Sequence, residues 1–169
     1  LASRRQRQMC IRDRIYKLDN EYSAEILKRS VAIKAKIVSN DEFETGDERI
    51  KLNYGHTVGH AIEKISNYSE YLHGEAVSIG MMVAANISLR MGFINKDLVN
   101  RQEEILKSYN LPVKLSGIAL EDILEAVKMD KKNVGGKVKW VLLESLGKAT
   151  ISQEVSEDII SESILEVMN

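Results

Sequence analysis

The stretch from Ala76 to Met91 is apolar on almost every side, with Ser78, Asn86, Ser88 and Arg90 its only polar residues. A helix with so little polar surface is stable only inside a shell of other elements. It falls short of the roughly 20 residues that a bilayer span needs, so it predicts a buried helix, Gly74 to Met91, in the middle of a bundle. The rest of the 169 residues supply the shell. After Ser23, an N-cap residue type, Ala24, Leu27, Val31, Ala35 and Val38 recur at steps of three and four, the stripe of an amphipathic helix, with Lys34 inside it. The acidic run Asn40 to Glu48 reads as a loop, and a second helix is predicted over Arg49 to Ile65. Asn95 can cap a helix through Tyr109 that stops near Pro112, and Leu120, Ile123, Leu124 and Val127 mark another. Val138, Trp140 and Leu142 alternate with Lys139, Val141 and Leu143, which predicts a strand or hairpin arm after Gly135-Gly136. Ser156 then caps a last helix carrying Ile160, Ile164 and Met168. The fold class is therefore mainly α: a helical bundle of about six helices with at most a short β-hairpin.

Composition narrows the function classes. One Cys excludes a disulfide framework and a Cys-based zinc cluster, and points to a reducing compartment, the cytoplasm. Lys and Arg number 24 against 25 Asp and Glu, but five of the arginines and one aspartate lie in Leu1 to Arg14. The remaining body is mildly acidic, which predicts neither nucleic acid nor a membrane as partner. Residues 1–14 show no helical or strand period, and Met9 to Arg14 resembles a translated sequencing-adapter or transposon end. They are set apart as a non-native or disordered segment, the competing reading being a basic binding or targeting arm. Residues 15–169 then form one helical domain. No Gly-x-Gly-x-x-Gly follows a strand, so no dinucleotide fold is predicted within the chain.

The chemistry concentrates between positions 56 and 73, which hold all three histidines. On a helix His56 and His60 are i and i+4, on one face, and His73 opens the next helix after a tight return. Imidazole is the commonest side-chain ligand of zinc-like ions, and a catalytic site typically combines three protein ligands with an open position. The competing reading is three unrelated histidines. Gly55 and Gly59 each precede one base-bearing position, and two helical glycines at roughly 1 kcal/mol each imply close approach by a ligand or by a neighbouring helix. Lys34, Arg49, Lys131 and Lys132 form a second, cationic constellation. Arg49, Asn53 and His56, spaced at about one turn, would line one helical edge, whereas Met129 to Lys137 reads as a basic turn before the strand.

At Asn53 to Ala76 the sequence resembles the central signature of the 3-dehydroquinate synthases: Leu52-Asn53-Tyr54-Gly55-His56-Thr57-Val58-Gly59-His60-Ala61-Ile62-Glu63, then Leu72-His73-Gly74-Glu75-Ala76-Val77. The flanks Arg29 to Ala35, Asp41 to Glu44, Met81 to Ala85, Asp130-Lys131-Lys132 and Trp140 to Gly147 are similar in order and spacing. The segment from Glu44 to Arg49 is one residue longer than the family's usual spacing. The resemblance implies the helical C-terminal part of a two-domain enzyme whose N-terminal part binds NAD. It also implies that His56 and His73 are metal ligands for Zn2+ or Co2+, joined by an upstream Glu, and that His60 is an active-site residue rather than a ligand. Lys34, Arg49, Asn53 and Lys132, with Lys131 a weaker match, would hold the carboxylate and phosphate of the substrate.

The reaction so implied converts the seven-carbon keto-acid phosphate DAHP to 3-dehydroquinate with loss of phosphate, in the shikimate pathway of aromatic amino-acid biosynthesis. NAD transiently oxidises a hydroxyl, phosphate leaves by β-elimination, the ketone is reduced, and an aldol closes the carbocycle. A homodimer is implied when the protein is full length, and no turnover is expected from the 169 residues alone. The competing readings are another sugar-phosphate cyclase, a metal-dependent glycerol or alcohol dehydrogenase, and a non-catalytic helical module that binds a metal or a partner helix.

Overall fold

The computed structural model describes residues 20–43, 46–67, 70–133 and 138–169, with backbone alone at 20, 22 and 130–133. The segment 1–14 and Glu44 lie outside the described residues. The chain divides into two compact units, with the boundary between Leu52 and Asn53.

In the first unit α1, Asn20–Asn40, runs as one uninterrupted helix. Ser23 lies inside it rather than capping it, because Asn20 and Glu21 extend the helix toward its N-terminus. The predicted stripe forms but is not buried: Leu27 and Val31 are 65% and 64% exposed, as Lys34 also is exposed. Among the described residues this unit holds a single α-helix. The loop after α1 is organised by the buried carboxylate of Asp41, which accepts the backbone N–H of Gly46 at 3.0 Å and of Arg49 at 3.1 Å. A single 3-10 helix, Arg49–Asn53, follows.

The second unit is the bundle. It contains α2 (His56–Ile65), α3 (His73–Arg90), α4 (Lys96–Ser108), α5 (Leu120–Asn133), the strands β1 (Trp140–Ser145) and β2 (Lys148–Ser152), and α6 (Glu157–Leu165). The expected continuous helix from Arg49 to Ile65 is broken at Tyr54-Gly55, where Gly55 takes φ of 82°, a left-handed conformation that costs glycine little. The single edge expected for Arg49, Asn53 and His56 is therefore interrupted. Helix α3 occupies the centre, as its sequence predicts: Ile79, Val83, Ala85 and Ile87 are fully buried, against α2, α4, β1 and α6. Each fully buried Ile or Val contributes about 1.5–3 kcal/mol.

Asn95 caps α4 by accepting the Leu98 N–H at 3.1 Å, and Ser156 caps α6 by accepting that of Ile159 at 3.3 Å, both as predicted. The basic segment beginning at Met129 is helical through Asn133, not a turn. Its Met and Lys residues are good helix formers, so the helix of Leu120 to Val127 propagates through them. The hairpin closes through Leu146-Gly147, with Gly147 at φ of 82° and Trp140 paired antiparallel to Ser152. Strict alternation is absent, since Trp140, Val141 and Leu142 are all buried. The hydroxyl of Ser88 on α3 donates to Ala84 O at 2.7 Å and accepts the Leu143 N–H at 3.0 Å, which ties the hairpin to the central helix. Among the described residues no helix is long and apolar enough to cross a membrane.

Candidate metal centre

Tight contact between α2 and α3 brings the histidines together. A Cβ on Gly80 of α3 would fall 2.0 Å from Gly55 O and 2.9 Å from Gly59 N. The two glycines that precede His56 and His60 thus serve a helix crossing, one of the two compatible readings of their spacing. On the other side of the crossing Tyr54 is fixed by its hydroxyl, which donates to Gln102 Oε1 at 2.9 Å. Gln102 in turn donates to Met81 O at 3.0 Å. Burial pushes the Tyr54 phenol well above its ordinary value, so it stays a neutral donor.

The three imidazoles form a triangle, with ring centroids 5.4 Å apart for His56 and His60, 5.4 Å for His56 and His73, and 6.1 Å for His60 and His73. Two imidazoles on one tetrahedral zinc, with Zn–N of 2.0–2.1 Å, place their centroids about 5 Å apart, so this spacing suits a shared ion. The Nδ1 of His56 lies 3.3 Å from Tyr54 O. A carbonyl only accepts, so that contact puts the proton on Nδ1 and leaves the Nε2 lone pair available. The buried carboxylate of Glu63 stands 3.1 Å from His73 Nδ1. One ligand atom each from His60, Glu63 and His73 can lie within 4.8 Å of one another. The donor set of neutral imidazoles beside one carboxylate fits a zinc-like cation.

Burial lowers the His56 pKa below the ordinary range, and the neighbouring His60 and His73 push the same way, against the Tyr54 carbonyl and Glu63. A base whose folded pKa lies below its unfolded value binds fewer protons when folded. The stability due to neutral His56 is therefore complete above about pH 6.5 and is lost as the pH falls below it. Urea titrations of the metal-free chain should show that loss, and His56→Gln should flatten it; a variant curve parallel to the parent's would refute the assignment.

The structure brings His56, His60 and His73 together, as the sequence predicts. Of the residues expected to hold the substrate's anionic groups, Lys34 and Asn53 are exposed, while the Arg49 guanidinium donates to Glu42 O at 3.1 Å. Lys131 and Lys132 lie on the last turn of α5, their side chains outside the described residues. Sequence reasoning missed Glu63 as a member of the cluster, although its position is legible: His56, His60 and Glu63 are i, i+4 and i+7 on one helix, hence on one face. Gly80 was missed too, and its only signal is a glycine within an otherwise favourable helix.

The family profile for the 3-dehydroquinate synthase C-terminal region matches residues 5–133. The chain belongs to that family. The 3-dehydroquinate synthase of Thermodesulfovibrio yellowstonii is 43% identical over 159 residues, covering 94% of this chain and 43% of that protein. That of Acinetobacter baumannii is 44% identical over 147 residues, covering 87% and 41%. The chain thus spans less than half the length of these relatives. Among solved structures, a 2-epi-5-epi-valiolone synthase from Streptomyces hygroscopicus with NAD+ and Zn2+ bound superposes with a TM-score of 0.81 over 93% of this chain and 44% of its own, at 20% identity, a likeness of fold. A 2-deoxy-scyllo-inosose synthase complexed with carbaglucose-6-phosphate, NAD+ and Co2+ gives 0.70 over 81% and 40%, at 26% identity. The helical bundle with its short hairpin is therefore the fold of the 3-dehydroquinate synthase C-terminal family.

Proposed function

We propose that the chain is the metal- and substrate-binding part of a 3-dehydroquinate synthase, acting on DAHP together with an NAD-binding part outside these residues. The observation that carries the reading is the histidine triangle on the α2–α3 crossing, formed by the very residues that match the family's signature. His56 and His73 would hold Zn2+ or Co2+. The bound metal would supply Lewis acidity to the substrate's hydroxyls and NAD a hydride acceptor. His60, exposed and 5.4 Å from His56 between ring centroids, would take and return the hydroxyl proton, as its solvent-facing imidazole suits. Lys34, Arg49, Asn53 and Lys132, with Lys131 beside it, would bind the substrate's two anionic groups. Arg49 suits a carboxylate or phosphate because its planar fork can donate two parallel hydrogen bonds. Holding both ends of the substrate keeps one pose through several steps. A homodimer and a cytoplasmic setting go with this reading, and the identity to named 3-dehydroquinate synthases supports it over the other cyclases.

The test is substrate choice by the chain joined to an NAD-binding part, with the chain alone as control. The joined protein should release phosphate from DAHP in an NAD-dependent way, and the chain alone should release none. Turnover of a hexose 6-phosphate with none of DAHP would move the assignment to another sugar-phosphate cyclase, and release by the chain alone would overturn the division of labour.

A further inference from the structure

We propose that Glu63 is a positioning residue for His73, taking the imidazole Nδ1–H so that Nε2 is the nitrogen presented to the cation. The inference rests on the reading that His56 and His73 hold a divalent metal. The Glu63 Oε1 lies 3.1 Å from His73 Nδ1, a hydrogen-bonding distance. An ionised carboxylate can only accept, and a neutral imidazole carries one proton; the contact therefore fixes that proton on Nδ1 and leaves the lone pair on Nε2.

Exposure divides the pair in the same sense. The Glu63 side chain is 8% exposed and that of His73 59%, so the carboxylate backs the ring from the protein side while the ring itself reaches the open side. Burying a carboxylate is costly unless it is hydrogen-bonded or paired, and the partner that the fold gives this one is a histidine of the triangle. His56 has a parallel arrangement, its Nδ1 lying 3.3 Å from the Tyr54 carbonyl. Each of the two histidines thus has Nδ1 engaged by an acceptor of this chain, which fixes ring orientation and raises the basicity of the other nitrogen.

The experiment begins with the metal-free chain carrying 15N-labelled imidazoles, at about pH 8, above the histidine range. Long-range proton–nitrogen spectra should show His73 protonated on Nδ1; protonation on Nε2 would overturn the proposal, and this measurement needs no variant. The second arm is Zn2+ affinity by chelator competition for the parent, Glu63→Gln and His56→Ala, each checked for helix content. Loss of the second-sphere carboxylate should weaken Zn2+ about 10- to 100-fold, with the His73 proton shifting toward Nε2. Unchanged affinity in a folded Glu63→Gln would overturn the proposal. So would a zinc-induced shift at His73 Nδ1 rather than Nε2, which would make Glu63 a ligand alongside it. Affinity that ignores His56→Ala would instead defeat the metal reading, while the metal-free tautomer still reports on Glu63.

Discussion

Replacing Gly80 with alanine should destabilise the bundle by about 3 kcal/mol or more, and lower its thermal midpoint by roughly 10 °C. The added Cβ would sit 2.0 Å from Gly55 O, 2.9 Å from Gly59 N and 3.0 Å from Gly55 C. All three are backbone atoms, which cannot rotate away as the end of a side chain can. The helices must separate instead, and that opens the packing of fully buried Val58, Ile62, Ile79 and Val83 around the crossing. Overpacking typically costs 1–3 kcal/mol, and a backbone clash belongs at or beyond the top of that range. Gly59→Ala provides the control. Its Cβ would meet Val77 at 3.1–3.2 Å, a shortfall of a few tenths of an ångström, and the better helix propensity of alanine returns up to about 1 kcal/mol. Urea unfolding of both variants should therefore show a large loss for Gly80→Ala and a small change for Gly59→Ala. Equal losses would contradict the crossing as described. Because Gly55 and Gly59 sit beside His56 and His60 in the chain, zinc affinity should fall with stability in Gly80→Ala.

How far this could be read from the sequence follows from what sets each element. The buried α3 was legible because its own residues leave no polar face to expose, and the caps at Asn95 and Ser156 because a side-chain oxygen at a helix start is a local device. The break at Gly55 was not, since the left-handed conformation there serves the close passage of α3, a contact between segments far apart in the chain. Nor was the fate of the α1 stripe. Periodicity shows that a face is apolar, and what covers that face is decided by other elements. At the site, spacing alone put His56 and His60 on one face but left open which histidines share an ion. The same periodicity extends to Glu63, whose partnership with His73 depends on the return through the loop before α3.

The second large effect is at His56. Its Nδ1 is committed to the Tyr54 carbonyl, and Tyr54 is held by Gln102 and Met81, so the fold fixes the direction in which Nε2 faces. On the proposed reading, removing the imidazole would take one of two histidine ligands from the ion; loss of a mere second-sphere partner already costs about 10- to 100-fold, so the ligand itself should cost more than about 100-fold in metal affinity. The rate should fall by at least a similar factor, because a bound metal contributes several kcal/mol to stabilising developing charge. Stability should change far less than in Gly80→Ala, since His56 is only half-buried. The most direct test of the proposed metal-dependent synthase is zinc content and DAHP-dependent phosphate release, measured together on the chain joined to an NAD-binding part, for the parent and for His56→Ala. The account predicts stoichiometric zinc and NAD-dependent release in the parent, with both lost in the variant; a folded His56→Ala that keeps its zinc and its rate would contradict it.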